Sequence, residues 1–352
     1  MDLNKRGTGL DSRVARLLDA NLDRAREGLR VVEDWCRFGL DRDDLVITLK
    51  DWRQRLGALH CEEYKQARST ETDLGAGLEH PVQLDRHRPD QVVAANCARV
   101  QEALRVLEEF ARNHTPALAQ TAANIRYGLY DLEVTCLNAT RADRRRSRLL
   151  DARLCLLTSP SDDMINTVEL ALRHGVELVQ YREKSADDRQ QLQEAQALAD
   201  LCRRYGALFI VNDRIDLALA VDADGVHLGQ GDLPTDVARR LIGAERLLGR
   251  STHNLAQVQQ ADSEGCDYLG LGPVFSTAVK PDKAPIDLSL LSTAAQISQR
   301  PVFAIGGIDV TKIPALIEHN CRRIAVIGAI MNADDPAAAT QALLQPLARP
   351  QP

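Results

Sequence analysis

No apolar run in this 352-residue chain approaches the roughly 18 residues that a membrane span needs. The first residues, MDLNKRGTGLDSR, lack the apolar centre of a secretory signal. Both absences predict a soluble, cytoplasmic protein with no membrane partner. No GxxxxGK[ST] segment occurs, which excludes a P-loop nucleotide site, and Gly75-Ala-Gly77 is too short to replace one. The eight cysteines form no CxxC pair and no metal-ligand spacing, so they read as buried thiols in a reducing compartment. Positive charge is not in excess. Against 50 Asp and Glu stand 44 Lys and Arg, a net charge of −6, which argues against a general nucleic-acid partner. What is present is an ordinary globular content of 44% hydrophobic residues, over a length sufficient for two domains.

Residues 1–140 read as an all-α helical bundle. Asp11 and Ser12 can cap a helix whose Val14, Leu17, Leu18, Ala25, Leu29, Val32 and Cys36 form one apolar stripe, with Gly39 as its stop. A second helix carries Leu45, Leu49, Trp52, Leu56 and Leu59. A polar loop over 69–89 follows. A third helix carries Val92, Val93, Val100, Leu104, Leu107 and Phe110, and a fourth Leu118, Ile125, Leu129, Leu132 and Cys136. The bundle contains a repeat. Asn21, Arg24, Glu27, Leu29, Arg30, Val31 and Glu33 recur as Asn96, Arg99, Glu102, Leu104, Arg105, Val106 and Glu108. An amphipathic helix needs its apolar stripe but not identical polar residues at identical offsets, so two copies imply internal pseudo-symmetry. The repeated polar residues read either as interhelical Arg–Glu pairs or as the lining of a pocket for a small phosphorylated ligand. The basic run over 141–151, which opens RADRRRSR, reads as a solvated linker.

From residue 152 to 348 short apolar runs alternate with helical stretches. Strands are expected at 154–157, 178–181, 208–212, 225–228, 247–250, 268–271, 302–305 and 324–327. Eight strands in about 200 residues fit a (β/α)8 TIM barrel, with a doubly wound open sheet as the alternative. Active sites of such barrels are built from the loops that follow the strands. Those ends are informative here. Gln180, Arg182 and Lys184 alternate after the second strand and can converge on one ligand. A planar guanidinium and an ammonium both suit phosphate oxygens. Asp213 and Asp232 stand after the third and fourth strands, where either alone would read as a helix cap. As a pair facing Arg182, Lys184 and Lys280, they look like a diphosphate–Mg²⁺ site. Gly307 and Gly328 follow the seventh and eighth strands, where barrels often hold a phosphate on backbone N–H groups. Two phosphorylated groups, one with metal and one without, suggest the joining of two substrates with loss of diphosphate. His227 and His253 read as structural or orienting groups rather than acid–base catalysts.

Taken together, Gln-Tyr-Arg-Glu-Lys184, Asn212-Asp213, His227-Leu-Gly-Gln-Gly-Asp232, Gly249-Arg-Ser251, Gly272-Pro-Val-Phe, Lys280 and Ala304-Ile-Gly-Gly307 closely resemble thiamine-phosphate synthase. The resemblance covers the whole barrel. It implies an Mg²⁺-dependent transferase that couples a hydroxymethylpyrimidine diphosphate with a thiazole phosphate, carboxylated or not, by a dissociative route. It implies that Gln180, Tyr181, Arg182, Glu183, Lys184, Asn212, Ser251 and Lys280 bind the pyrimidine diphosphate, with Arg182, Ser251 and Lys280 catalytic. Asp213 and Asp232 would be the metal ligands. Thr277, Ala278, Val279, Gly307, Ile327 and Gly328 would hold the thiazole phosphate. Val279 stands where the family has threonine, and Gly328 where it has serine. Both departures fall on the thiazole side.

Residues 1–140 resemble a domain fused to some members of the family and proposed as an alternative hydroxymethylpyrimidine-phosphate kinase. An oligomerisation bundle is the structural alternative, and the sequence leaves a homo-oligomer open. For the barrel, the competing readings are a thiazole tautomerase, which needs neither the carboxylates nor the diphosphate cations, and a non-catalytic thiamine-precursor binding protein.

Overall fold

The computed structural model describes residues 10–68, 86, 88–277 and 283–348. They form two compact units that divide between Arg141 and Ala142.

The first unit is helical: α1 (Ser12–Phe38), α2 (Asp43–Ala58), α3 (Glu62–Gln66), α4 (Pro89–Ala111) and the part of α5 (Pro116–Asp151) up to Arg141. The Asp11 carboxylate accepts the Arg13 N–H and starts α1. Leu18, Leu22, Ala25, Leu29, Val32 and Cys36 are buried along one stripe, which packs on α2 and α4. Gly39 ends α1, but in right-handed backbone with φ −104. Glycine is needed there because a Cβ would lie 2.5 Å from the Trp35 ring.

The repeated polar residues serve mainly the scaffold. Asn21 Nδ2 donates to Leu17 O at 2.9 Å, and Asn96 Nδ2 to Val92 O at 2.8 Å, each one helical turn back. Glu33 pairs with Arg53 of α2 at 2.9 Å, and Glu108 with Arg126 of α5 at 3.0 Å. Arg30 and Arg105 join those same carboxylates from one turn back. Arg24, Glu27, Arg99 and Glu102 lie exposed. The repeat is thus two helix pairs, each latched by one Glu–Arg bridge.

The second unit is a closed barrel of eight parallel strands in sequential order. Its elements are β1 (Leu154–Leu157), α6 (Met164–Arg173), β2 (Leu178–Tyr181), α7 (Asp188–Tyr205), β3 (Leu208–Asn212), α8 (Ile215–Ala220), β4 (Gly225–Leu228), α9 (Thr235–Ile242), β5 (Leu247–Thr252), α10 (Leu255–Ser263), β6 (Tyr268–Leu271), α11 (Ser289–Ile297), β7 (Val302–Ile305), α12 (Ile313–Glu318), β8 (Ile324–Val326), α13 (Gly328–Met331) and α14 (Pro336–Leu347). Closure rules out the open-sheet alternative. Side chains such as Val179, Phe209, Val226, Leu248 and Leu269 face the helices, and Leu178, Leu208, Ile210, Leu247, Tyr268 and Phe303 fill the interior. β8 stops at Val326, because Ile327 turns away with ψ −85.

The expected linker over 141–151 is instead the last turns of α5. Its arginines have partners on the loops that precede the strands. Arg145 Nε donates to Asp224 at 2.9 Å and its Nη1 to Glu245 O at 3.0 Å. Arg146 Nη2 reaches Ala244 O at 3.0 Å. Leu149 and Ala152 pack into the barrel interior with Cys155, Leu178 and Phe303. A charge run looks solvated in sequence, but here carbonyls and carboxylates at one end of the barrel accept its N–H groups.

Candidate active site

The register of the parallel strands sets the polar rim. Asn212 lies beside His227, His227 beside Gly249, and Ser251 beside Gly270. Inward-facing residues therefore turn from apolar to polar toward the C-terminal ends of the strands. There a cavity of about 520 Å³ opens, lined among others by Ser159, Gln180, Arg182, Asn212, His227, Ser251, His253, Thr277, Gly307, Ile327, Gly328 and Asn332.

The strands β2 and β3 fix its first side. Gln180 Nε2 donates to Asn212 Oδ1 at 2.7 Å, which sets both amides. The Arg182 N–H donates to Thr158 Oγ1 at 2.9 Å. Its guanidinium has no partner among the described residues, so it is available to an anion. Two neighbouring residues point elsewhere. Tyr181 is buried against the helix layer and its hydroxyl donates to Glu194 at 2.7 Å. Glu183 accepts the N–H groups of Lys184, Ser185 and Ala186 and the Ser185 hydroxyl, and so orders its own loop. Neither lines the cavity, although each adjoins residues at its rim.

Ser251 is held from inside the barrel. His227 Nε2 lies 3.0 Å from Ser251 Oγ, and His227 Nδ1 lies 3.2 Å from the Tyr268 hydroxyl. Burial pushes the Tyr268 phenol well above its ordinary range, so it stays protonated and can donate to Nδ1. That arrangement leaves Nε2–H to donate to Ser251. Room for the pair depends on Gly249, where a Cβ would lie 2.2 Å from the Tyr268 ring and 2.5 Å from His227 Nδ1. His253 is tied at both ring nitrogens, Nδ1 to Gly272 O and Nε2 to Lys283 Nζ.

The carboxylates Asp213 and Asp232, with Lys184, follow the strand ends next to the cavity but are not among its lining residues. Asp213 follows β3 with φ +62, a left-handed conformation that aspartate tolerates better than most residues. Lys184 Nζ approaches it at 3.2 Å. Gly229 N–H donates to Asp232 at 2.6 Å. Partial desolvation raises the Asp232 carboxyl above its ordinary range, and the facing Asp213 adds to this against the Gly229 hydrogen bond. Two facing carboxylates that resist joint ionisation, with oxygen donors only, fit a hard divalent cation. Among the described residues no three or more His, Cys, Asp and Glu side chains converge. That also fits Mg²⁺, which commonly takes one or two carboxylates and fills its octahedron with phosphate oxygens and water.

Sequence reasoning named the residues of the second, third and fifth strand ends and of the loops after β6, β7 and β8. Lys280, Ala278 and Val279 lie outside the described residues. It missed Ser159 and Asn332, which stand outside any motif, and it missed the buried Tyr268 behind His227. The alternation along β6 carried that last signal, since Tyr268 and Gly270 share the inward face.

In the first unit, Asp19, Asp23, Arg26, His60 and Arg68 form a second polar cluster. His60 Nε2 meets Asp19 Oδ1 at 2.7 Å, with both side chains buried. Arg68 bridges Asp19 and Asp23. Arg26 Nη1 lies 3.5 Å from His60 Nδ1, and Arg26 Nε is buried without a partner among the described residues. An offset of 75, which maps Asn21 onto Asn96, puts Ala94, Ala98 and Gln101 where the first copy has Asp19, Asp23 and Arg26. The cluster therefore exists in one copy only and is not required by the repeated scaffold.

Comparison with known proteins agrees with this arrangement. The family model described as thiamine monophosphate synthase matches residues 154–330, and the ThiD2 family matches residues 16–135. A thiamine-phosphate synthase of Synechococcus sp. (strain CC9605) is 67% identical over 340 residues, covering 97% of each chain. One of Thermosynechococcus vestitus is 49% identical and covers 97% of each. Among solved structures, thiamine phosphate pyrophosphorylase from Pyrococcus furiosus is 36% identical with a TM-score of 0.52, covering 57% of this chain and 96% of its own. With a closed barrel, a polar cavity at its strand ends and full-length relatives of this identity, the chain belongs to the thiamine-phosphate synthase family.

Proposed function

We propose that the barrel joins a hydroxymethylpyrimidine diphosphate to a thiazole phosphate, releasing diphosphate and giving thiamine phosphate. The observation that carries this is one cavity with the Arg182 guanidinium, unpaired among the described residues, and a Gln180–Asn212 pair on one side, and Thr277, Gly307 and Gly328 on the other. In this reading Gln180, Arg182, Lys184, Asn212, Ser251 and Lys280 bind the pyrimidine diphosphate. Tyr181 and Glu183 act through the backbone and loop they shape. Thr277, Ala278, Val279, Gly307, Ile327 and Gly328 hold the thiazole phosphate.

The reaction breaks the bond between the pyrimidine methylene carbon and the diphosphate oxygen, and the electron pair leaves with diphosphate. The thiazole nitrogen lone pair then forms the new C–N bond to the methylene cation. Arg182 and Lys184 stabilise charge on the departing oxygens, and the Ser251 hydroxyl, set by His227, donates to them. Asp213 and Asp232 would hold Mg²⁺, which supplies further neutralisation of the diphosphate when bound. No base is required at the new bond, in keeping with two histidines that are both held by protein contacts.

The test is a coupling assay with the full chain, both substrates and Mg²⁺. Thiamine phosphate and diphosphate should appear together and vanish with a chelator. Absence of product from folded protein sinks the reading. For the first unit, the ThiD2 match supports phosphorylation of the pyrimidine monophosphate, and the Asp19–His60–Arg26–Arg68 cluster is the place we assign to it. Supplying the monophosphate and a nucleoside triphosphate in place of the diphosphate should then also yield thiamine phosphate. Failure there alone removes the kinase reading and leaves the barrel's intact.

A further inference from the structure

We infer that Asn332 is a substrate-contacting residue, whose side-chain amide donates to the phosphate of the thiazole partner. Asn332 closes the short α13, with its backbone N–H on Gly328 O at 3.1 Å. This one-turn spacing sets its side chain over Gly328. The side chain lines the cavity, yet it has no hydrogen-bond partner among the described residues. Asn332 is exposed at the cavity mouth, so its amide is hydrated there and can exchange water for a ligand oxygen without breaking a protein contact. Thr277, Gly307 and Gly328 line the same cavity, and the nearby cation Lys312 is spent on Gly307 O at 2.6 Å and on Asp309 at 3.0 Å. A neutral amide there can donate to a phosphate oxygen, and hydrogen bonds to an ionised acceptor are the stronger kind.

Gly328 sharpens the inference. A Cβ at position 328 would lie 3.1 Å from Asn332 Nδ2. A side chain at 328 would therefore crowd the amide and push it aside by a few tenths of an ångström, so the two positions share one place beside the ligand. A glycine at 328 leaves only its N–H for the phosphate, and Asn332 supplies the side-chain donor in its stead.

The inference rests on reading this side of the cavity as the thiazole phosphate subsite, and its test separates the two. The measurement is steady-state coupling by the full chain, with each substrate varied in turn. Asn332→Ala should raise KM for the thiazole phosphate by roughly tenfold to a hundredfold, the usual worth of a hydrogen bond to a charged group. KM for the pyrimidine diphosphate should stay at the wild-type value. Asn332→Asp, which sets a carboxylate against the phosphate, should lose more. Gly328→Ser alone should weaken thiazole binding by displacing the amide, whereas Gly328→Ser combined with Asn332→Ala should recover much of it, since the hydroxyl then has the space. With the unphosphorylated thiazole alcohol as substrate, Asn332→Ala should make no difference.

Several outcomes would overturn the role of Asn332: an unchanged KM for thiazole phosphate, an equal loss with the alcohol, or strict additivity of the two substitutions. A wild-type chain that fails to couple the substrates would overturn the subsite reading itself.

Discussion

Tyr268 and His227 meet inside the barrel, with the phenol oxygen 3.2 Å from Nδ1 and the rings 5.4 Å apart. A buried hydroxyl thereby sets the tautomer of an imidazole that in turn orients Ser251. Tyr268 touches no substrate; it is a positioning residue. Tyr268→Phe should lower kcat about fivefold, the worth of one hydrogen bond of about 1 kcal/mol. Thiazole KM should not move. In a Ser251→Ala background the same change should have little effect, because its only route to the ligand is gone. Full additivity would make Tyr268 merely structural.

The carboxylate pair should be indispensable together with the cation. Asp213→Asn and Asp232→Asn should each reduce coupling by two orders of magnitude or more, as expected of residues that place a divalent ion on a leaving group. Activity should fall to the same floor when wild-type protein is treated with a chelator, and Mg²⁺ should restore only the wild type. Residual Mg²⁺-dependent turnover in either variant removes that residue from the metal role.

His60 should matter to the first unit's reaction and not to the barrel's. His60→Ala should abolish thiamine phosphate formation from the pyrimidine monophosphate, while coupling from the diphosphate continues at the wild-type rate. The second assay reports that the barrel is folded, and an unchanged helical circular-dichroism signal reports the same of the first unit. Retained activity from the monophosphate would show that the cluster is a structural network.

Asp19 makes acid stability measurable. Burial alone would raise its carboxyl, but hydrogen bonds from Arg68 and His60 outweigh that and hold it below the ordinary range. A carboxyl lower in the folded than in the unfolded chain stabilises the fold above its unfolded value of about 4, and that stability is lost as pH falls through the folded value. The opening free energy of α1 amides, from hydrogen exchange corrected for the intrinsic exchange rate at each pH, should therefore fall in this acid range, and Asp19→Asn should show a flatter dependence. Identical slopes would contradict the assignment.

Arg145 tests the end of α5. Its side chain is 6% exposed and paired with Asp224, so Arg145→Ala should destabilise the barrel by about 3 kcal/mol. Arg148, exposed on the same helix, should be nearly neutral when replaced. Equal effects in a denaturant titration would return this stretch to the status of a linker.

The sequence by itself determined the barrel and most of its rim. Strand lengths and the position of each polar residue after an apolar run are local properties, and period-two geometry gives a facing direction as far as Gln180; the strand ends at Tyr181, and Lys184 beyond it turns to Asp213 and not into the cavity. It also announced the helical repeat. Only the tertiary structure decided what the repeated polar residues do, because Glu33 and Glu108 find their arginines on other helices, 20 and 18 residues away. The same holds for Tyr181 and Glu183, which sit inside the motif but turn to Glu194 and to their own loop. It holds for Arg145, whose charge reads as solvated until Asp224 and Glu245 O are brought beside it. And it holds for Asn332, silent in sequence, because its meaning depends on an empty Cβ position four residues earlier and on a cavity that exists only once eight strands have closed.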